Sequence, residues 1–471
     1  MGKQKYEIGL IGLGVMGRNL ALNMADHGYA VAGYDKDHDK VNALHAESAG
    51  RHIRGARSLD EYMALLKSPR AIIMLVPAGP AVDDVVRDIL PFLEAKDVLI
   101  DCGNSHFTDT NLRQKTLARA GIQLLGVGIS GGEHGARNGP SIMPGGQPEA
   151  YERVRPLFEA VAARVQEEPC VAYLGPGSAG HFVKMVHNGI EYGLMELIAE
   201  TYDLMKRGIG LTDDELAGIY ERWNEDIFHS YLLEITGHIF RHVDHKTGKR
   251  LIDVILDEAR QKGTGKWTSQ TAMDLQVPVP VVDAAVSTRD ISSYKAEREV
   301  ASGALTGPSA HFQGKRERFI DSLERALQAG FIITYAQGMD ILRKASDAYN
   351  YNLNLAEVAR IWRGGCIIRA AMLEDIRAGY KNSADLPHLF MDTRLGRQVA
   401  ACQQELREMV CSAANLGIPV SGMMAALAYF DSYRSAWMPT SLIQAQRDYF
   451  GAHTYERVDE KGIFHTKWEE D

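Results

Sequence analysis

The sequence predicts a doubly wound α/β domain with a mostly parallel sheet, then a large all-helical domain and a C-terminal tail. Three observations carry this. Short apolar runs alternate with helical stretches up to about residue 175. From His181 onward strand signals fade and long amphipathic stretches follow one another. The last stretch, 456–471, is polar apart from aromatics such as Phe464 and Trp468, as frayed tails are. The expected divisions are 1–178, 179–438 and 439–471.

The first elements define a nucleotide-binding turn. Residues 6–11 (YEIGLI) suit a buried strand, and Gly12-Leu13-Gly14-Val15-Met16-Gly17 follows at once. A helix is expected over 18–27, stopped by Gly28, then a second strand over 29–34, with Asp35 after it. Strand, GxGxxG, helix, strand and acidic residue together make a Rossmann context, whereas a lone GxGxxG would be equally readable as a structural turn. In that context Gly12 allows the tight turn and Gly14 lets a pyrophosphate approach the backbone. Gly17 lets helix and strand pack closely, and the helix N-terminus offers N–H groups to phosphate.

Further strands are expected over 71–76, 97–101, 122–128 and 170–175. Ligands in such sheets sit at the C-terminal strand ends. Three turns lie there: Val76-Pro77-Ala78-Gly79, Cys102-Gly103-Asn104-Ser105, and 126–146, which has eight glycines in 21 residues. Ile, Met and Pro interrupt the last of these, which favours an ordered loop over disorder. Its Ser130-Gly131-Gly132 offers backbone N–H groups to a carboxylate or phosphate, or else makes a close-packed turn.

In the helical half, Lys184, His187, Asn188 and Glu191 fall at i, i+3, i+4 and i+7 of HFVKMVHNGIEYG, on one helix face. Seven residues span about 10 Å of helix axis. A lysine and a carboxylate reaching inward from those ends would bracket a small polar molecule and move protons at two of its atoms. The plainer reading is a solvated charge pair on a surface helix. Helices are expected over 181–207, 212–241, 250–262, 316–348, 355–378 and 395–416. Two segments, 203–220 and 340–362, resemble each other and suggest a duplicated helical unit. The glycine loop 261–267 (QKGTGKW) is not a Walker A. Its Lys262 and Thr264 suit a phosphate, and a plain helix C-cap is the alternative. Residues 302–315 read as a polar linker. Residues 443–455 carry Arg447 and His453 beside aromatics.

The chain has 471 residues, 45% hydrophobic and 24% charged, with net charge −9. These values fit a globular protein of two or three domains and argue against a general affinity for nucleic acid or anionic membrane. Five scattered cysteines fit a reducing cytoplasm and give no metal-ligand spacing. No apolar run approaches a membrane span. The N-terminus lacks a signal-peptide layout, and Tyr6 breaks a myristoylation match.

GLGVMGRNLALN, SGGEHGARNGPSIMPGG, GHFVKMVHNGIEYG, QKGTGKWT, IWRGGCIIR and LIQAQRDYFGAHTYE occur in this order. From about residue 6 to the end, the chain thereby resembles the decarboxylating 6-phosphogluconate dehydrogenase family. The resemblance implies oxidative decarboxylation of 6-phospho-D-gluconate to D-ribulose 5-phosphate, with NADP as cofactor, in the pentose phosphate pathway. It implies Lys184 as general base and acid, and Glu191 as the acid that protonates carbon. It makes His187, Asn188, Asn104, Ser130, Gly131 and Gly132 substrate and nicotinamide contacts. Tyr192, Lys262, Thr264 and Arg289 become substrate contacts, mostly around the phosphate. Arg447 and His453 would come from the second subunit of a homodimer whose tails exchange.

The chain departs from the family pattern at several positions. Asp35-Lys36-Asp37 replaces Asn-Arg-Ser/Thr, Pro77 replaces a common lysine, Cys102 a glycine and Leu194 an aspartate. A carboxylate at Asp35 suits the ribose 2′-OH of NAD and repels a 2′-phosphate, which predicts NAD or dual use. Lys36 holds a phosphate less well than a bidentate arginine. Two other readings are a 3-hydroxyisobutyrate-type β-hydroxyacid dehydrogenase and a dinucleotide-binding sensor without catalysis. Lys262, Arg289 and Arg447 argue against the first, the Lys184–Glu191 pair against the second.

Overall fold

A computed structural model describes residues 5–308 and 311–468. The extreme N-terminus, two residues of the 302–315 linker and the end of the tail lie outside the described residues. The strands are β1 (Ile8–Ile11), β2 (Val31–Tyr34), β3 (Ile53–Ala56), β4 (Ala71–Met74), β5 (Val98–Asp101), β6 (Gln123–Ser130) and β7 (Ser141–Gly145). They form one sheet in the order β3-β2-β1-β4-β5-β6-β7. All neighbours are parallel except β6 and β7. The order reverses direction at β1/β4, the switch point where doubly wound sheets bind ligands.

Alternation along the strands builds two cores, one on each face. Leu10, Ile73, Ile100 and Leu125 enter one. Ile11, Ile72, Leu99 and Leu124 enter the other. Both faces are buried, so the strands read as continuous apolar runs rather than alternating ones. β3 escaped the sequence reading because IRGA is short and half-exposed. β7 lies inside the glycine-rich 126–146 segment, which is ordered: β6 ends in it, and the helix Gly132–Asn138 and β7 follow.

The expected strand at 170–175 is not one. Only Val171 bridges Ile142. Arg360 takes the carbonyls of Pro169 and Val171 at 2.6 and 2.9 Å, while Cys170 O and Leu174 N keep single backbone bonds to Ile142 N and Pro144 O of β7. The short hairpin before it carries Glu168, which accepts both Arg377 nitrogens at 2.8 and 2.7 Å and also pairs with Arg363. These bonds tie the sheet domain to the helices. They hold the Glu168 carboxyl down at about 2. A carboxylate with a lowered pKa contributes stability above its ordinary range and loses it as pH falls. Glu168→Gln is therefore expected to lower Tm at neutral pH, the gap closing as pH falls toward about 2. A gap that is constant with pH would contradict this.

The helical domain packs around two long helices, Ala179–Asp203 and Arg316–Tyr349. Phe182, Val186, Ile190, Leu194, Phe331 and Tyr335 lie in one core between them and their neighbours. The first helix serves both domains. Its start docks on β6 and β7, where Gly180 lies so close that a Cβ would be 2.3 Å from the Gly126 and Met143 carbonyls. Its remainder runs into the helical core. Lys184 thus stands at the seam.

Three helix expectations need correction. Residues 250–262 form a 3₁₀ turn, Leu251–Val254, and then an irregular segment. Its apolar Val254, Ile255 and Leu256 remain exposed, so no packing sustains a helix. The 355–378 stretch is two helices, Leu355–Ile361 and Met372–Asn382, broken at Gly364-Gly365, where Gly365 takes φ +65. The 212–241 stretch is likewise divided after a π turn at Asn224–Phe228 by His229 at φ +38. The tail is folded, not frayed. A helix, Thr440–Gly451, presents Asp448, whose carboxylate accepts from Thr454 N, Thr466 N, His465 Nδ1 and Trp468 Nε1 at 2.9–3.0 Å.

Candidate active site

Lys184, His187 and Asn188 are buried in the helix Ala179–Asp203, and Glu191 is half-buried. Gly128 of β6 permits this, because a Cβ there would sit 2.3 Å from the Lys184 Cβ. Burial pushes the Lys184 ammonium below the ordinary lysine range, against a weaker pull from Glu191 and Cys366. Burial also pushes the Glu191 carboxyl up, opposed by Lys184 and Arg289. Both groups therefore move toward neutrality, which is the condition for exchanging protons near pH 7. Burial and the nearby lysine drive His187 well below its usual range, so the imidazole is neutral. Its 3.8 Å approach to Glu191 is a contact rather than an ion pair.

The His187 ring is fixed at both nitrogens. Nε2 meets Ser130 Oγ at 3.2 Å, and Nδ1 meets Asn188 Oδ1 at 3.1 Å. The asparagine oxygen only accepts, so Nδ1 carries the proton and the serine hydroxyl donates to Nε2. Gly131, at φ +110, turns the chain into Gly132–Asn138 beside the Gly365 carbonyl. The 363–371 loop closes this side: Ile367 N donates to Ser130 Oγ at 3.4 Å.

Asn104, Ser105, His181, Lys184, Met185, Asn188, Thr264 and Trp267 line one narrow cavity. Ser105, His181, Met185 and Trp267 were not singled out from the sequence. His181 had a signal, lying one turn before Lys184 on the same face. Gln261–Trp267 leads into a helix, Thr264–Asp274, rather than capping one: Gly263, at φ +93, is its N-cap without a side-chain cap bond. Thr264, in the first turn of that helix, lines the cavity. Tyr192 packs on Gly265, and the Arg289 guanidinium lies 3.5 Å above the Tyr192 ring. A helix N-terminus, a hydroxyl and an arginine thus converge, with Lys262 two residues upstream, as a phosphate requires. Arg447 and His453 are not brought in. Both are exposed; Arg447 donates to Gln444 in its own helix and His453 packs on Phe450.

The second cleft, about 410 Å³, lies at the β1/β4 switch point and is lined by Gly12, Gly14, Tyr34, Asp35, Lys36, Val76 and Pro77 among others. Gly12 takes φ +98. A Cβ on Gly14 would meet nothing within 4 Å, and no side chain caps the helix Val15–Asp26 that starts there. An open approach to free helix N–H groups fits a pyrophosphate. Asp35 accepts from Leu13 N at 2.7 Å and Asp37 N at 2.9 Å, with Lys40 at 3.6 Å. Lys36 pairs with Asp88 at 2.8 Å. The Asp37 carboxylate is occupied capping the helix His38–Glu47. Cys102 and Leu194 are buried, the latter in the helical core.

A dinucleotide cleft beside a buried lysine–carboxylic acid pair fits the class of nicotinamide-dependent oxidoreductases. The C-terminal domain model of 6-phosphogluconate dehydrogenase matches residues 180–468, and the NAD binding domain model of that enzyme matches residues 7–175. The chain belongs to the 6-phosphogluconate dehydrogenase family. The NADP(+)-dependent, decarboxylating 6-phosphogluconate dehydrogenase of Bacillus subtilis (strain 168) is 50% identical over 98% of this chain and 99% of its own. The decarboxylating enzyme of Klebsiella pneumoniae is 48% identical over the same shares. The Plasmodium falciparum 6-phosphogluconate dehydrogenase structure superposes with TM-score 0.94 at 42% identity, covering 98% of this chain and 100% of that one. That enzyme is described in its apo form, with its cofactor NADP+ and with its substrate 6-phosphogluconate.

Proposed function

We infer that the chain oxidises and decarboxylates 6-phospho-D-gluconate to D-ribulose 5-phosphate and CO₂, reducing NAD(P)+. The observation that carries the mechanism is the buried Lys184–Glu191 face, whose two groups are shifted toward each other's range. When bound, the nicotinamide supplies the hydride acceptor for C3. Neutral Lys184 takes the 3-hydroxyl proton as general base. The lysine, now charged, donates to the C3 oxygen while CO₂ leaves, the keto group serving as electron sink. Glu191, whose protonated form burial favours, delivers a proton to C1 of the enediol. His187, Asn188, Ser130 and Asn104 hold the carbon chain. Tyr192, Lys262, Thr264 and Arg289 hold the phosphate. The test is stoichiometry. With 6-phosphogluconate, reduced dinucleotide and CO₂ are expected in equal amounts; binding of dinucleotide without turnover would favour a sensor instead.

NADP+ is named for the Bacillus subtilis and Plasmodium falciparum relatives, and the cleft supports it with Lys36 and Lys40. Both lysines face carboxylates, however, and Asp35 is anchored by two backbone N–H groups at the ribose position. This supports NAD+ as a second cofactor. Wild-type kcat/KM is expected to be comparable for both, and Asp35→Asn to move the ratio toward NADP+ by about tenfold. A strong wild-type NADP+ preference would sink the reading.

Assembly as a homodimer with exchanged tails is part of the same proposal. Leu442, Ile443, Phe450, Val458 and Ile463 on the tail, and Trp437 just before it, are exposed apolar side chains, more than a free surface usually carries. A partner's tail would also deliver Arg447 and His453. The divisions of labour by domain are 1–178, 179–438 and 439–471 in this reading, with a cytoplasmic setting. No helix among the described residues is long and apolar enough to cross a membrane.

A further inference from the structure

We propose that Arg113 is a positioning residue for the dinucleotide, locking two cofactor loops into one cradle. This rests on the reading that the cleft beside β1 and β4 binds the dinucleotide. Arg113 lies on the helix Phe107–Ala118 and is only 6% exposed. Its guanidinium reaches both loops at once. Nε and Nη2 donate to Asp83 Oδ1 and Oδ2 at 2.6 and 3.0 Å, and Nη2 also donates to the Gly79 carbonyl at 3.1 Å. Those groups belong to the loop after β4 and the helix it opens. Nη1 donates to Ser105 Oγ at 3.2 Å and stands 3.6 Å from Asp101 Oδ2, at the end of β5.

The second loop is shaped by the same charge. Asp101 accepts from Ser105 Oγ at 2.6 Å and from Gly103 N at 3.0 Å, closing the Cys102–Ser105 turn. A Cβ on Gly103 would sit 3.0 Å from the Val76 carbonyl, so the two loops already touch. The turn presents Asn104 and Ser105 to the Lys184 cavity. His181 refers it to the lysine helix: its Nε2 donates to the Asp101 carbonyl at 3.0 Å, leaving Nδ1 to accept from Thr110 at 2.7 Å. One buried network therefore runs from the loop after β4, through Arg113 and Asp101, to the helix that carries the base.

Burying a guanidinium costs several kcal/mol unless its donors are paired, and here four different groups pair them. A planar fork with five donors can join an aspartate on one side to a hydroxyl and a second carboxylate on the other; a lysine point charge cannot. The consequence is alignment. Misplacing a reacting partner by about 1 Å costs roughly 10²-fold in rate.

The test uses Arg113→Lys and Asp83→Ala in the full chain. The Asp83 side chain is 58% exposed, and its removal weakens the tie to the first loop to the single Gly79 bond while Arg113 keeps Asp101 and Ser105. Dissociation constants for NADP+, NAD+ and 6-phosphogluconate are measured with kcat and Tm. Arg113→Lys is expected to weaken both dinucleotides by about tenfold or more and to lower kcat, with 6-phosphogluconate, which meets the same turn through Asn104, weakened several-fold less. Asp83→Ala is expected to move the same constants by a smaller factor, with a smaller fall in Tm than Arg113→Lys. Unchanged dinucleotide affinity in either folded variant overturns the proposal. So does equal weakening of all three ligands together with a lower Tm, the mark of a general brace. Absence of dinucleotide binding in the wild type would overturn the functional reading as well, which separates the two failures.

Discussion

Lys184→Ala is expected to lower kcat by roughly 10²–10⁴-fold, the range that a positioned general base supplies, with dinucleotide affinity nearly unchanged. The argument begins with burial. A lysine on the Ala179–Asp203 helix loses water on all sides, which lowers its pKa and keeps a neutral fraction available as a base. His187 beside it is neutral and hydrogen-bonded at both nitrogens, so it cannot take over the role without breaking its bonds to Ser130 and Asn188. Cys366, a further titratable group near Lys184, is held as a thiol, its pKa pushed up to about 12. Arginine is expected not to rescue, since it stays charged. In the wild type, activity is expected to fall at low pH because Lys184 becomes protonated. A variant that keeps full activity would remove Lys184 from the mechanism.

Glu191→Gln is expected to lower kcat by about 10²-fold or more and to change the shape of the pH profile. Burial raises this carboxyl, so it is the protonated form that persists toward neutral pH and can donate to C1. The sign follows: activity falls as pH rises through the raised pKa, because the ionised carboxylate has no proton to give. Glutamine cannot ionise, so the residual activity of the variant is expected to lose the alkaline fall and keep the acid one. Persistence of the alkaline fall would assign it to another group.

The site was legible where its residues are close in sequence. Lys184, His187, Asn188 and Glu191 follow helical spacing, and Gly12–Gly17 with Asp35 follow the geometry of a single βαβ turn. Local periodicity groups the first set on one face, leaving a surface charge pair as the alternative, and turn chemistry groups the second, before any tertiary contact is known. What local signals could not supply was pairing across distance. Arg113 looks like an ordinary helix-surface arginine until Gly79, Asp83 and Ser105 fold around it. The 170–175 segment reads as a strand because its apolar residues are right; Arg360, nearly 190 positions on, takes the Pro169 and Val171 carbonyls and leaves the segment single bonds to β7. The break in 355–378 was visible as Gly364-Gly365, yet helical periodicity on both sides masked it. The tail was misread for the opposite reason: one buried aspartate, Asp448, organises residues that are polar by composition.

The division of labour between Lys184 and Glu191 is tested most directly by a single-turnover measurement of dinucleotide reduction with 6-phosphogluconate. Wild type, Lys184→Ala and Glu191→Gln are compared under the same conditions. Lys184→Ala is expected to lose the reduction step, while Glu191→Gln keeps it near the wild-type rate, because C1 protonation comes after hydride transfer. Equal loss in both variants, or a full rate without Lys184, would contradict the assignment.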